Sequence, residues 1–232
     1  MKKLNKRTKL NQEKIENRLY KKEEAITLLK ETANAKFVES VEVHISLSLD
    51  TKYSDQQLRG TLILPKGTGK VKRIAVLMPL ESITQEYNGL ADIIGSDDLI
   101  ELITKGNIDF DILISTPDMM PKLAKLGRIL GPKGLMPSPK AGTVTTDVRL
   151  TLEEFKKGKL EYRADKTGIV HILIGKMNFN NSDLLENLNA VYTSIENNKP
   201  SGVKGQYFKA FHICSTMGPS IELDISELKL KS

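Results

Sequence analysis

The chain has 232 residues, a net charge of +6, 39% hydrophobic residues and only 5% aromatic ones. That length suits one or two domains, each with enough apolar residues for a packed core, and no run approaches the roughly 18 apolar residues of a membrane helix. A single cysteine, Cys214, excludes internal disulfides and fits a reducing compartment.

Residues 1–36 carry 11 Lys/Arg against 5 Asp/Glu, a surplus equal to the net charge of the whole chain. A basic arm of this kind commonly neutralises phosphates. Its opening residues lack the apolar stretch and small-residue cleavage site of a secretory signal, and they are too Ser-poor and too soon acidic for a transit peptide. Lys22 to Ala35 places Ala25, Ile26, Leu28, Leu29 and Ala33 on one face behind early acids, which predicts an amphipathic helix. In residues 41–49, Val41, Val43, Ile45, Leu47 and Leu49 alternate with polar neighbours, the period of a half-buried strand. A second strand runs from Thr61 to Leu64 and stops at Pro65. Lys66–Lys70, with two glycines and no apolar residue, then marks a boundary.

From Lys72 the pattern changes. Strand-like segments at 74–78, 92–94 and 110–115 alternate with helix-like ones at 83–90, 97–105 and 117–126, which predicts a small parallel sheet covered by helices. Thr116-Pro117-Asp118 offers a cap, a proline at the first helical position and an early acid. The segment Gly127–Gly142, GRILGPKGLMPSPKAG, combines four glycines and three prolines, and so reads as a loop of specified path rather than helix or strand. Its apolar Ile129, Leu130, Leu135 and Met136 give it something to bury. Its basic residues suit a polyanion. Residues 67–157 balance 12 basic against 12 acidic side chains, yet residues 122–149 hold six basic side chains against one acid, Asp147. Thr151-Leu152-Glu153-Glu154 matches a capping box for a short helix ending at Gly158.

Beyond Gly158 strands at 159–164 and 169–174 flank the turn Asp165-Lys166-Thr167-Gly168. Asn181 or Ser182 caps a helix with an apolar stripe of Leu184, Leu185, Leu188, Val191, Tyr192 and Ile195, and strands at 206–215 and 220–224 follow. The expected architecture is α/β and α+β in two domains. Residues 1–66 and 158–232 make a discontinuous α+β domain, and 67–157 an inserted three-layer α/β domain with a small parallel sheet. Gly67, Gly69 and Gly158 are the expected hinge.

Catalytic signatures fail one by one. Lys66–Lys70 lacks the first glycine and the terminal Ser/Thr of a phosphate loop. Asp97, Asp98 and Glu101 fall in the first turn of a helix, where acids complement the dipole. His44, His171 and His212 lie far apart in strand-like segments, so neither a metal site nor a Cys–His pair is expected, and Cys214 reads as a small buried residue. No converging set of acid, base and nucleophile emerges, so an enzyme is not expected.

GRILGPKGLMPSPKAGTV at 127–144 closely resembles the signature of the ribosomal protein L-one family, the protein of the mobile stalk beside the ribosomal exit site. The likeness extends over AKFVESVEVH at 35–44, SDQQLRGT at 54–61, LPKGTGK at 64–70, TPDMM at 116–120, YRADKTGIVHILIGK at 162–176, KPSG at 199–202 and STMGPS at 215–220. The pattern resembles the bacterial type, with details of its cyanobacterial and plastid branch, and lysine far outnumbers arginine. A plastid stroma is the expected location, with a bacterial cytoplasm as the alternative.

The resemblance implies that the discontinuous domain binds large-subunit ribosomal RNA. The segments it carries over are Lys36, Phe37 and Ser40; Asp165, Lys166 and Thr167; and Thr216, Met217 and Gly218. Lysines there would neutralise phosphates, Phe37 would lie against a ribose or base, and hydroxyls would meet 2′-hydroxyls. The inserted domain is implied to face exit-site transfer RNA, with Lys122, Lys125, Arg128, Lys133, Lys140 and Arg149 as the weaker candidates. The chain's own messenger RNA is a further implied partner. No cofactor, membrane or homo-oligomer is expected. A free-standing RNA-binding regulator and a phosphate-handling α/β enzyme are the alternative readings.

Overall fold

The computed structural model describes residues 5–82, 87 and 89–228. The chain divides into two compact units, one from the described residues up to Gly69 together with those from Leu160 onward, the other spanning Lys70–Lys159.

The first unit is built on an antiparallel sheet in the order β7 (Ile169–Lys176), β1 (Ser40–Leu47), β8 (Phe208–Ser215) and β9 (Ser220–Glu222). Val41, Val43, Ile45 and Leu47 of β1 are buried, whereas Glu42, His44 and Ser46 turn the other way and stay half-buried. Against the buried face pack Ala25, Ile26 and Leu29 of α2 (Lys22–Thr32) and Leu184, Leu188, Val191, Tyr192 and Ile195 of α7 (Asn181–Asn197). Each aliphatic side chain buried this completely contributes about 1.5–3 kcal/mol relative to exposure. β2 (Arg59–Ile63) and β6 (Lys159–Arg163) form a separate two-stranded sheet.

The basic arm is not a bare tail. α1 (Lys6–Glu13) buries Asn11, whose side-chain N–H donates to the Thr32 carbonyl at 2.7 Å. Arg18 pairs with Glu16 and Glu24 and lies over the Tyr20 ring, Lys21 faces Glu227 at 3.5 Å, and Lys30 donates to the Phe179 carbonyl. Part of the arm's charge is therefore spent inside the fold. Only tertiary contact reveals α1, because its own sequence has no apolar stripe. α7 starts at Asn181 with Asn180 at the cap position, and no side chain caps it. The capping assigned to Asn181 or Ser182 is corrected by one or two residues.

The second unit has a parallel sheet in the order β4 (Ile93–Gly95), β3 (Ile74–Leu77), β5 (Ile112–Ser115). α3 (Asp97–Thr104), α4 (Met120–Ala124) and α5 (Gly127–Leu130) bury Leu99, Ile103, Leu123 and Leu130 against Ala75, Leu77 and Leu113. α6 (Val148–Lys156) buries Val148, Leu152 and Phe155 against Ile74, Val76 and Ile114. Strand neighbours point to opposite faces, so helices cover both sides and the unit has three layers.

Several local expectations change. The segment from Gly127 begins as a helical turn, because Gly127–Leu130 precedes the first proline and buries Leu130 beside Leu123 and Leu126. α6 starts before the capping-box pattern: Asp147 caps it by accepting from the Leu150 N–H at 3.3 Å, while the Thr151 hydroxyl donates back to the Asp147 carbonyl. Residues 117–119 form a 3-10 turn ahead of α4, and the Thr116 hydroxyl makes no capping bond. The expected helix over 83–90 falls mainly outside the described residues. Among the described residues no helix is long and apolar enough to cross a membrane.

Candidate nucleic-acid interface

Two loops meet at the end of the sheet where β1 begins. Residues 35–39 lead into β1, and Thr216-Met217-Gly218 joins β8 to β9; they are neighbours because Val41 of β1 lies opposite Ser215 of β8. The joint is built around Glu39, a carboxylate only 2% exposed. One of its oxygens accepts from the Ala35 N–H at 3.0 Å, and the other accepts from the Ser215 hydroxyl at 2.8 Å and the Met217 N–H at 2.9 Å. Burial alone would raise its pKa. The bonds from Met217, Ser215 and Ala35, with the charge of Arg7, outweigh that and hold it below the ordinary value.

A second staple lies beside the first. The Ser40 N–H donates to the Thr216 hydroxyl oxygen at 3.0 Å, and the Thr216 N–H donates to the Ser40 carbonyl at 3.1 Å. Gly218 fits only without a side chain, because a Cβ there would land on the Ser215 hydroxyl oxygen that serves Glu39. The result is a fixed loop pair that leaves Phe37 55%, Val38 56% and Met217 54% exposed. Lys36 is exposed next to them. Phe37 is thus not a core residue, and apolar side chains held out on a rigid platform are groups available for contact. Thr216 acts mainly as a staple, its hydroxyl oxygen already accepting from the chain.

Asp165, Lys166 and Thr167 are exposed but sit at the other end of the sheet. β7 starts at Ile169 opposite Ser46, so this turn is about seven residues of strand, or about 24 Å, from the Ser40 end. Asp165 organises the turn: it accepts from the N–H groups of Thr167 and Ile169, both at 2.8 Å, and from the Thr167 hydroxyl. The Thr167 hydroxyl and those backbone bonds depress its pKa. Gly168, at φ +79°, closes the turn with the Leu47 carbonyl 3.2 Å from where a Cβ would be. Lys166 is the exposed basic residue of this turn.

The six candidate basic residues of the second unit do not share one layer. Lys122 and Lys125 lie on or at the end of α4 and Arg128 on α5, all on one side of the sheet, whereas Arg149 belongs to α6 on the opposite side. Lys122 is paired with Asp97 at 2.6 Å and Arg149 faces Glu153 at 3.5 Å. Lys125, Arg128, Lys133 and Lys140 are exposed. Of the expected hinge glycines, Gly67 (φ 66°), Gly69 (φ 71°) and Gly158 (φ 104°) all have left-handed backbones. Gly67 is anchored, however: buried Asn187 donates to its carbonyl and accepts from the Lys66 N–H, both at 3.0 Å. Gly69 packs on the Phe179 ring.

Sequence separation also misplaced the histidines. Register sets His44 opposite both His171 and His212, and the His44 ring lies 3.0 Å from the Cys214 sulfur. Burial, with smaller contributions from the other histidines, lowers the His44 pKa, and burial pushes the Cys214 thiol up to about 11. A thiol held that firmly is not a poised nucleophile.

Nothing in the sequence singles out Glu39, since a glutamate before an alternating strand is unremarkable until its three donors are seen. Comparison with known proteins then supplies the wider frame. The model of the ribosomal protein L1p/L10e family matches residues 29–219. The large ribosomal subunit protein uL1c of Guillardia theta is 64% identical over 232 residues, covering 100% of this chain and 99% of that protein. The protein of the same name from Rhodomonas salina is 63% identical, covering 100% of this chain and 99% of its own length. The large ribosomal subunit protein uL1 of Prochlorococcus marinus (strain MIT 9515) is 56% identical, covering 99% and 97%. With a family match over most of its length and relatives this similar from end to end, the chain belongs to the ribosomal protein L1p/L10e family.

Proposed function

We propose that this protein is a structural constituent of the large ribosomal subunit that grips folded ribosomal RNA of the mobile stalk through its first unit. The observation that carries this reading is the stapled loop pair at Glu39, which holds Phe37 and Met217 out of the core beside Lys36. A flat ring and a polarizable thioether can cover a ribose or base, and a lysine can neutralise a phosphate, which favours recognition of a particular RNA shape. The turn at Lys166 is a second anchoring point, suited to a longer stretch of the same RNA. With 5% aromatic residues, shape and backbone contacts outweigh base stacking.

The second unit is the part that meets exit-site transfer RNA and assists its release. Its balanced charge suits a transient contact, and Lys125, Arg128, Lys133 and Lys140 are the side chains for it. The RNA-gripping surface also serves to repress translation of the protein's own message, wherever that message copies the ribosomal site. The plastid stroma is the location this reading favours, with a bacterial cytoplasm as the alternative. The role is structural rather than catalytic.

Sedimentation tests the proposal directly. Tagged protein expressed in its own host is expected to travel with large subunits and to stay with them through high-salt washing, because apolar and hydrogen-bonded contacts screen far less than phosphate pairs. Protein found wholly in the free fraction at low salt would overturn the proposal in favour of a free-standing role.

A further inference from the structure

The outward face of the four-stranded sheet gathers metal-binding side chains from two neighbouring strands. Glu42 and His44 of β1 face away from the core, and Cys214 of β8 stands opposite Glu42. A Glu42 carboxylate oxygen, a His44 ring nitrogen and the Cys214 sulfur all lie within 4.8 Å of one another. His44 Nε2 is 3.0 Å from the sulfur and 3.9 Å from Glu42 Oε2. Metal–sulfur and metal–nitrogen bonds of about 2.3 and 2.0 Å imply tetrahedral edges of roughly 3.3–3.6 Å, so small side-chain rotations bring these atoms around one ion.

The neighbouring histidines set the tautomer that coordination needs. His44 Nδ1 and His171 Nδ1 are 2.7 Å apart, so one carries the shared proton and the other accepts it. His171 Nε2 lies 3.8 Å from Asp165 Oδ2, and that carboxylate favours a proton there, which leaves His171 Nδ1 as the acceptor. His44 then donates from Nδ1 and presents a bare Nε2 to Cys214 and Glu42. An outer partner that fixes ring orientation in this way is the usual companion of a ligating imidazole. On the other flank, the buried His212 Nδ1 makes no hydrogen bond among the described residues. All three donor residues are half-buried, accessible to an ion yet partly shielded from water.

We propose that Glu42, His44 and Cys214 form a binding site for a zinc-type divalent transition-metal ion, with water in the fourth position. Mixed sulfur, nitrogen and oxygen donors suit such an ion and not magnesium or calcium, which take oxygen ligands. Binding replaces the thiol proton by a sulfur–metal bond and releases that proton to solvent. The site stands whether or not the RNA reading holds.

Cobalt(II) titration of the reduced full-length protein tests it, since thiolate–cobalt charge transfer reports the sulfur bond. Absorption should saturate at about one equivalent, show tetrahedral d–d bands and vanish on adding zinc. Cys214→Ser should abolish the charge-transfer band, and His171→Ala should weaken binding by about 10–100-fold through loss of the outer contact. Circular dichroism checks folding, and the half-exposed Glu42→Gln variant, also expected to bind more weakly, stands in where His44→Ala does not fold. No charge-transfer band at stoichiometric cobalt, or a band that survives Cys214→Ser, would mean a hydrogen-bonded cluster only and overturn the proposal.

Discussion

Glu39→Gln is expected to lower stability by about 2–3 kcal/mol at neutral pH and RNA affinity by tenfold or more. The carboxylate serves three donors, on Ala35, Ser215 and Met217. An amide offers one oxygen, and its NH2 turns a donor toward groups that are themselves donors. At least one buried N–H or O–H then loses its acceptor, and the loops carrying Phe37 and Met217 lose their common anchor. Alanine, which leaves all three unserved, should cost more. The pH dependence gives a second readout. Because the folded-state pKa of Glu39 is depressed below its ordinary 4.5, its contribution is fully present above that value and is lost as pH falls through the folded value. Urea unfolding should therefore separate wild type from Glu39→Gln at pH 7 and bring them together in acid. Equal stability of the two at pH 7 would refute the staple.

The double variant Phe37→Ala/Met217→Ala should behave in the opposite way. Both side chains are more than half exposed, so unfolding should change by less than about 0.5 kcal/mol. Affinity for a large-subunit stalk RNA should fall about 100-fold, since a flat contact on a base or ribose is worth about 1–3 kcal/mol and the thioether contact adds to it. Thr216 is left intact in this experiment, because its hydroxyl accepts from Ser40 and its loss would mix stability with recognition. A gel shift that gives wild-type affinity for the double variant would remove these residues from the interface.

Much of the framework was legible in the residues. The strict alternation of 41–47 set β1 with its correct buried face, and the stripe from Leu184 to Ile195 marked α7. The switch to β–α alternation after Lys72 foretold the parallel sheet. What escaped was what only tertiary neighbours decide. α1 has no stripe of its own and is fixed through Asn11. Gly127–Leu130 turns helical because burying Leu130 outweighs the glycine. Arg149 looked like one more member of a basic run, yet α6 carries it to the far side of the sheet. For the candidate interface, the resemblance named residues to look at, but not that Glu39 staples the loops carrying Phe37 and Met217 or that Asp165 organises its own turn. His44, His171 and His212 appeared unrelated because separation along the chain says nothing about strand register.

Photo-crosslinking of the full-length protein to stalk RNA, with adducts mapped by mass spectrometry, tests the central claim most directly. The account predicts adducts at Phe37 and Met217, with a weaker set at Lys166. Adducts confined to residues 70–159 would contradict it.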